Sequence, residues 1–300
     1  MRTREARVTQ IIAHLVCGII ALCAILPFLL LMISSFTAEA WATEHGYSFF
    51  PGKLSLEAYK YIAVQWGTIG KAYFMTLVVT FIGTVASVFI TTLFAYGLSQ
   101  SHIPGMKIVN FILIFTMLFN GGLVATYYTY VHYLDFKDTI WALLIPTLLM
   151  NAFNVILVKN YISYSIPGAL KEAATIDGAS EFRIFAKIIM PLSLPIIATI
   201  GLMTGLSYWN DWQNGMYYLS GRDGASLYTI QIILNNINEN IQVLLQNASK
   251  AQSIGAKVSE LPSTTIRMAI AAIGILPILV LYPFFQRYFV KGITLGGVKE

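Results

Sequence analysis

The sequence predicts an all-α integral membrane protein with six transmembrane helices and both termini in the cytoplasm. Three observations carry this. First, 57% of the 300 residues are hydrophobic and only 11% are charged, with a mean hydropathy of +0.68. A soluble domain carries about 25% charged residues, so the polar groups here are too few to cover a water-facing surface of this size. Second, six stretches contain no Asp, Glu, Lys or Arg: 8–38, 72–106, 108–134, 139–158, 188–210 and 268–286. Roughly 20 apolar residues cross a hydrocarbon core of about 30 Å, and each stretch reaches or approaches that length. Unpaired backbone groups are not tolerated in lipid, so each is expected to be helical. Third, placing the termini together puts eleven Lys and Arg against five acids on one side, which makes that side cytoplasmic.

The first stretch follows the basic segment Met1–Arg7, and its 31 uncharged positions far exceed the 7–15 residues of a signal-peptide core. It is read as a retained span. Cys17 and Cys23 lie inside it without metal-ligand spacing. Residues 1–68 thus form a first helix with an outer segment that contains the Pro51-Gly52 turn. Residues 69–290 form a membrane core with a cytoplasmic loop at 165–190 and a polar outer loop at 211–266. Residues 291–300 form a cytoplasmic tail. In the outer loop, Ile230, Ile233, Leu234 and Ile237 predict a short amphipathic helix. Asn247-Ala248-Ser249 matches a glycosylation sequon, a short motif given no weight.

The cytoplasmic loop is the most informative segment. Pro167-Gly168 ends the preceding helix, and 169–176 is a run of good helix formers. Asp177-Gly178 is a turn signal, because glycine enters positive φ without a β-carbon clash. Phe182, Phe185, Ala186 and Ile189 then recur at helical spacing as one apolar face. Pro191 is expected at the start of the fifth span. Two short helices broken at glycine make a compact knob. Its small residues Ala173, Ala174, Gly178 and Ala179 would admit a partner's surface close to the backbone.

Glu172-Ala173-Ala174, then Gly178, Ile188 and Pro191 at their spacings, resembles the EAA loop of binding-protein-dependent ABC importer permeases, with Met190 where that family usually has Leu. Tyr282–Gly292 and Thr294–Lys299 look like the C-terminus of carbohydrate-type permeases, in the MalG-like half of the maltose-type family. Phe119-Asn120-Gly121-Gly122 with Tyr127-Tyr128, and Trp209-Asn210-Asp211-Trp212, look like the LplC-type oligosaccharide subset. The resemblance implies a MetI-like permease core in a bacterial cell membrane. It implies that Glu172, Ala173, Ala174, Asp177, Gly178, Ala179 and Phe182 contact an ATPase. The partners it implies are a second related permease, two ATP-binding-cassette subunits, an extracytoplasmic sugar-binding protein and membrane lipid. ATP and Mg²⁺ would be bound by the cassette subunits, this chain holding no cofactor and no metal.

The residues themselves are consistent with a transport subunit that performs no catalysis. Gly52-Lys53 and Gly70-Lys71 lack the remaining phosphate-cradling positions of a P-loop. No uncharged stretch carries the ionisable relay of a gradient-driven secondary transporter, the alternative reading. Nucleic acid is not expected, since no basic tract interleaves with aromatics. Asn120, Asn154, Tyr208, Trp209, Asn210 and Trp212 are candidates for the sugar path. The amides could equally be interhelical hydrogen-bonding groups, and the aromatics an interfacial belt.

Overall fold

The computed structural model describes residues 4–100, 103–246 and 264–297. The sequon at 247–249, with the rest of the outer loop to 263, and the last three residues of the tail lie outside the described residues. The structure is helical, with one isolated antiparallel bridge, Thr37 to Leu54, among the described residues. It divides into two compact units: Met1–Ile69 with Leu234–Leu276, and Gly70–Ile233 with Pro277–Glu300.

The first unit holds α1 (Arg4–Ser35), α2 (Glu39–His45) and α3 (Glu57–Val64). The apolar length of α1 is exposed from Val8 to Leu29, and its last residues, Ile33 to Ser35, are half-buried to buried. At its end the Ser35 and Tyr59 hydroxyls lie 2.8 Å apart, and Phe36 stacks on Tyr59. Gly52 is required by its neighbour, because a β-carbon there would lie 2.6 Å from Trp41 Nε1. Glu39 caps the last long helix: its carboxylate accepts the Thr264 N–H at 3.0 Å and the Thr265 N–H at 2.8 Å. These donors have no partner inside the helix, and a negative charge there also favours the helix dipole.

The second unit begins in α4 (Trp66–Ser99), which starts four residues before the division. It continues with α5 (Met106–Leu118), α6 (Gly122–Tyr128) and a π-helical turn at Thr129–Tyr133. Next come α7 (Trp141–Leu144), α8 (Ala152–Ser165), α9 (Gly168–Ile176) and α10 (Glu181–Ile184). A second π turn at Phe185–Ile189 leads to α11 (Met190–Leu192), α12 (Leu194–Trp209) and α13 (Gln213–Tyr218). The long helices α14 (Ile230–Gln246) and α15 (Thr264–Gly297) belong partly to each unit. The helix predicted from Ile230, Ile233, Leu234 and Ile237 is α14. Among its described side chains the buried ones are Ile230 and Ile232, the latter absent from the predicted face.

The expectation that each apolar stretch is one helix needs correction. Among the described residues α1 and α4 are long and apolar enough to cross a bilayer, and counting two bent pairs as single spans raises the number to four. In the pair Met106–Leu118 and Gly122–Tyr133 the chain turns by 119°. The turn is local: Phe119 is extended, Gly122 has φ +81°, and Asn120 Oδ1 accepts the Gly122 N–H at 2.8 Å. In the other, Glu181–Leu192 meets Leu194–Trp209 at 80°. The break falls at Ser193, one residue before α12, so Pro191 lies in the preceding helix and Pro195 opens the span.

The stretch 139–158 is not a helix but two, separated by irregular backbone at 145–151. Pro146 has no N–H, Thr147 takes φ +61°, and Asn151 restarts the chain by accepting the Phe153 and Asn154 N–H groups. Three side chains from other helices donate to carbonyls here, of which Pro146 O also accepts the local Leu148 N–H at 2.8 Å. Tyr208 donates to Leu144 O at 2.6 Å, Asn214 Nδ2 to Pro146 O at 3.0 Å, and Ser87 Oγ to Leu148 O at 3.5 Å. Irregular backbone in an apolar segment survives when protein groups satisfy it, which these three do.

Candidate functional site

The knob is built as two helices around a glycine turn. α9 ends in a Schellman motif, in which Gly178 N–H donates to Thr175 O and Ala179 N–H to Ala174 O, both at 3.0 Å. Gly178 has φ +76°, and a β-carbon placed on it would meet nothing within 4 Å, so backbone conformation rather than space selects glycine. Ser180 then caps α10 through the Arg183 N–H.

Glu172, Ala173, Asp177, Gly178 and Phe182 are exposed on this knob. Ala174 and Ala179 are not: they pack against the buried cluster that joins α4, α5, α8 and α12. Their small size lets the knob close onto its own chain, a different reason from the one expected. The predicted face Phe182, Phe185, Ala186, Ile189 is also corrected. Phe185 and Ile189 are buried, but Ile184 joins them, while Phe182 is 67% exposed and Ala186 is exposed. Ile184, Phe185, Ile188 and Ile189 fall at i, i+1, i+4 and i+5, a second apolar stripe of the same segment, and it is this one that packs on the buried cluster. Ile176, 85% exposed beside Gly178, is a large apolar group at the knob's surface that residue type alone marks only as a helix former.

Behind the knob lies a polar cleft of about 590 Å³ lined by Tyr96, Gln100, Lys171, Glu172, Thr175 and Glu181, among others. Tyr96 donates to Glu181 Oε2 at 2.6 Å, and Lys171 Nζ lies 5.9 Å from the Tyr96 ring centroid. Burial lowers the Lys171 pKa, and the nearby Glu181 charge opposes that shift.

The candidate path residues fall into two groups. Asn154, Tyr208 and Trp209 are buried. Asn154 Nδ2 donates to Thr204 Oγ1 at 3.4 Å across α8 and α12. Tyr208 holds the Leu144 carbonyl, and Trp209 meets Tyr73 edge to face at 5.9 Å. Trp209 also walls an apolar groove of about 380 Å³ with Leu77, Phe81 and Pro277. Asn120, Asn210 and Trp212 are exposed. Asn120 uses its carbonyl in the 119° turn, and Asn210 Nδ2 donates to Leu206 O at 2.9 Å. The structure does not gather the six into one pocket.

The loops before α7 and after α13 carry a clamp that sequence reasoning missed. Asp138, at φ +56°, accepts the Ser220 N–H and the Ser220 hydroxyl, and its own N–H donates to Tyr218 O at 3.0 Å. Tyr127 stacks on Tyr218, with ring centroids 5.7 Å apart. The partners are about eighty residues apart in sequence, so no local pattern marks them. Nearby, burial raises the Asp211 pKa, partly offset by hydrogen bonds from Asn214 and Gln213.

The profile of the family described as binding-protein-dependent transport system inner membrane component matches residues 101–295. The chain belongs to this family, which makes it a multi-pass inner-membrane component of a bacterial transport system. It is 39% identical to the polygalacturonan/rhamnogalacturonan transport system permease protein YtcP of Bacillus subtilis (strain 168), covering 93% of this chain and 94% of YtcP. It is 34% identical to Protein LplC of the same organism, covering 99% and 97%. A crystal structure of a bacterial ABC transporter involved in the import of the acidic polysaccharide alginate contains a chain with a TM-score of 0.77 to this one. That chain is 30% identical, with 96% of this chain and 99% of that one covered.

Proposed function

We propose that the chain is the transmembrane permease subunit of an ABC importer that moves an oligosaccharide or polysaccharide fragment into the cytoplasm, driven by ATP hydrolysed in a separate subunit. The observation that carries this is the exposed two-helix knob, with Glu172, Ala173, Asp177, Gly178 and Phe182 at its surface and Ala174 and Ala179 anchoring it. It sits in a chain whose relatives carry out polygalacturonan/rhamnogalacturonan transport and alginate import. In this reading six spans enclose half of a path, both termini are cytoplasmic, and a second related permease supplies the other half. Two cassette subunits bind ATP and Mg²⁺ and push the knobs, and an extracytoplasmic sugar-binding protein delivers the substrate. Asn120, Asn210 and Trp212 face the path, while Asn154, Tyr208 and Trp209 shape it. Trp212 and the amides suit a sugar, which is read by ring stacking and by hydrogen bonds to hydroxyls.

Reconstitution with the co-expressed cassette and permease subunits tests this. Uptake of labelled oligogalacturonide should require ATP and be abolished by Gly178→Asp while the chain still inserts. Uptake that persists without cassette subunits and collapses with the ion gradient would sink the proposal.

A further inference from the structure

α4 is gripped at two points by side-chain hydrogen bonds to elements far away in sequence. Near its last turn Tyr96, 6% exposed, donates to Glu181 Oε2 at 2.6 Å, packs its ring 5.5 Å from Phe185 and lies under Lys171. It thereby touches both helices of the knob and the π turn behind them. At the other point, ten residues inside the start of α4, the Thr76 hydroxyl, 1% exposed, accepts the N–H of Ile230, the first residue of α14, at 2.9 Å. The same hydroxyl donates to Ala72 O at 2.8 Å, so both of its roles are used.

Between these grips α4 is unbroken helix, free of proline, while the stretches around it are bent or interrupted. Twenty residues at 1.5 Å each separate Tyr96 from Thr76 by about 30 Å, the thickness of a hydrocarbon core. At about 100° per residue the two side chains leave the rod on nearly opposite faces. The knob and the start of α14 are thus joined by one stiff element and two hydrogen bonds, one of them to a charged carboxylate.

We infer that α4 is a connecting rod, with Tyr96 and Thr76 as positioning residues, through which displacement of the knob is passed to the outer helix α14. The inference rests on the coupling role proposed for the knob. It adds that movement reaches the far side through a span that is not the knob's neighbour in sequence. Direct transmission through α8 and α12, which flank the knob, is less suited: α12 meets the knob segment across an 80° bend, and α8 is preceded by the irregular 145–151 segment.

The test uses the complete importer, purified through its cassette subunit, with Cys17 and Cys23 replaced by alanine and one reporter, Gln231→Cys, at the start of α14. Maleimide labelling of the reporter is timed with and without ATP and vanadate. We expect ATP and vanadate to change the rate several-fold in the parent. Tyr96→Phe, which removes only the hydroxyl, and Thr76→Val, which keeps the shape, should each cut the change to less than a third. Glu181→Gln, which keeps an acceptor, should retain more of it than Tyr96→Phe. A response in Tyr96→Phe and Thr76→Val equal to the parent's, with the cassette still bound, overturns the rod. Failure of the parent to retain a cassette subunit overturns the coupling reading beneath it and the rod with it. Co-purification therefore separates the two failures.

Discussion

Gly83 and Tyr208 offer a test of how tightly α4 and α12 are fitted. A β-carbon on Gly83 would lie 2.4, 2.5 and 2.7 Å from Tyr208 Cζ, Cε1 and Cε2, where ordinary carbon contacts are about 3.5–4.0 Å. The ring would have to retreat by about 1 Å. It cannot do so freely, because its hydroxyl donates to Leu144 O at 2.6 Å. Gly83→Ala therefore forces either overpacking, at about 1–3 kcal/mol, or loss of the bond and an unpaired buried carbonyl, at about 1–3 kcal/mol. Thermal unfolding of the detergent-solubilised chain, followed by size-exclusion fluorescence, should show Gly83→Ala melting several degrees lower. Tyr208→Phe should also melt lower, from the lost bond alone. The double variant should be less destabilised than the sum of the singles, since the ring without its hydroxyl is free to move. A Gly83→Ala protein as stable as the parent, or strict additivity, would refute the pinned-ring argument.

Three further outcomes are expected. Gly178→Ala should weaken retention of the cassette subunit several-fold in a co-purification titration; the added carbon meets no atom, and positive φ costs a non-glycine residue about 1–2 kcal/mol, so unchanged retention would disprove it. Asp211 has a folded pKa raised chiefly by burial, so the stability it contributes is present below its unfolded pKa and is lost as pH rises through the folded value. Asp211→Asn, neutral throughout, should gain in melting temperature over the parent as pH rises above the ordinary carboxylate value of 3.8, and a pH-independent difference would contradict this. Glu39→Ala should destabilise by about 1–3 kcal/mol through loss of the α15 cap, with Glu39→Gln intermediate in the same melting assay.

Composition and charge-free runs are enough to read a helical membrane protein, because apolar length is a property of contiguous residues. The knob is legible for the same reason, since its Schellman turn is written in Ala174 to Ala179. What the sequence conceals is long-range. Ile145 to Asn151 reads as apolar helix with one proline, and the break is stable only because Ser87, Tyr208 and Asn214 reach it from 61 to 68 residues away. Tyr208 and Asn154, path candidates by residue type, are occupied by partners that no spacing rule reveals. The apolar face of the second knob helix is misphased in the sequence because the segment carries two overlapping apolar stripes, and only tertiary packing selects the one with Ile184 and Ile188.

The broken segment also sets an order of events during synthesis. The Leu144 carbonyl takes its side-chain donor from Tyr208, which the ribosome adds 64 residues later, and the Pro146 carbonyl, already accepting the Leu148 N–H at 2.8 Å, gains a second donor in Asn214, added 68 residues later. Until Tyr208 arrives the segment cannot settle into hydrocarbon without a bare Leu144 carbonyl, at a cost of several kcal/mol. It must wait in the insertion channel or against water while α8, the knob and α12 are made. A nascent chain stalled before residue 208 should leave 145–151 open to water-soluble thiol probes, and one stalled well after 214 should not. In this chain an apolar segment is completed by a tyrosine and an asparagine belonging to helices not yet born.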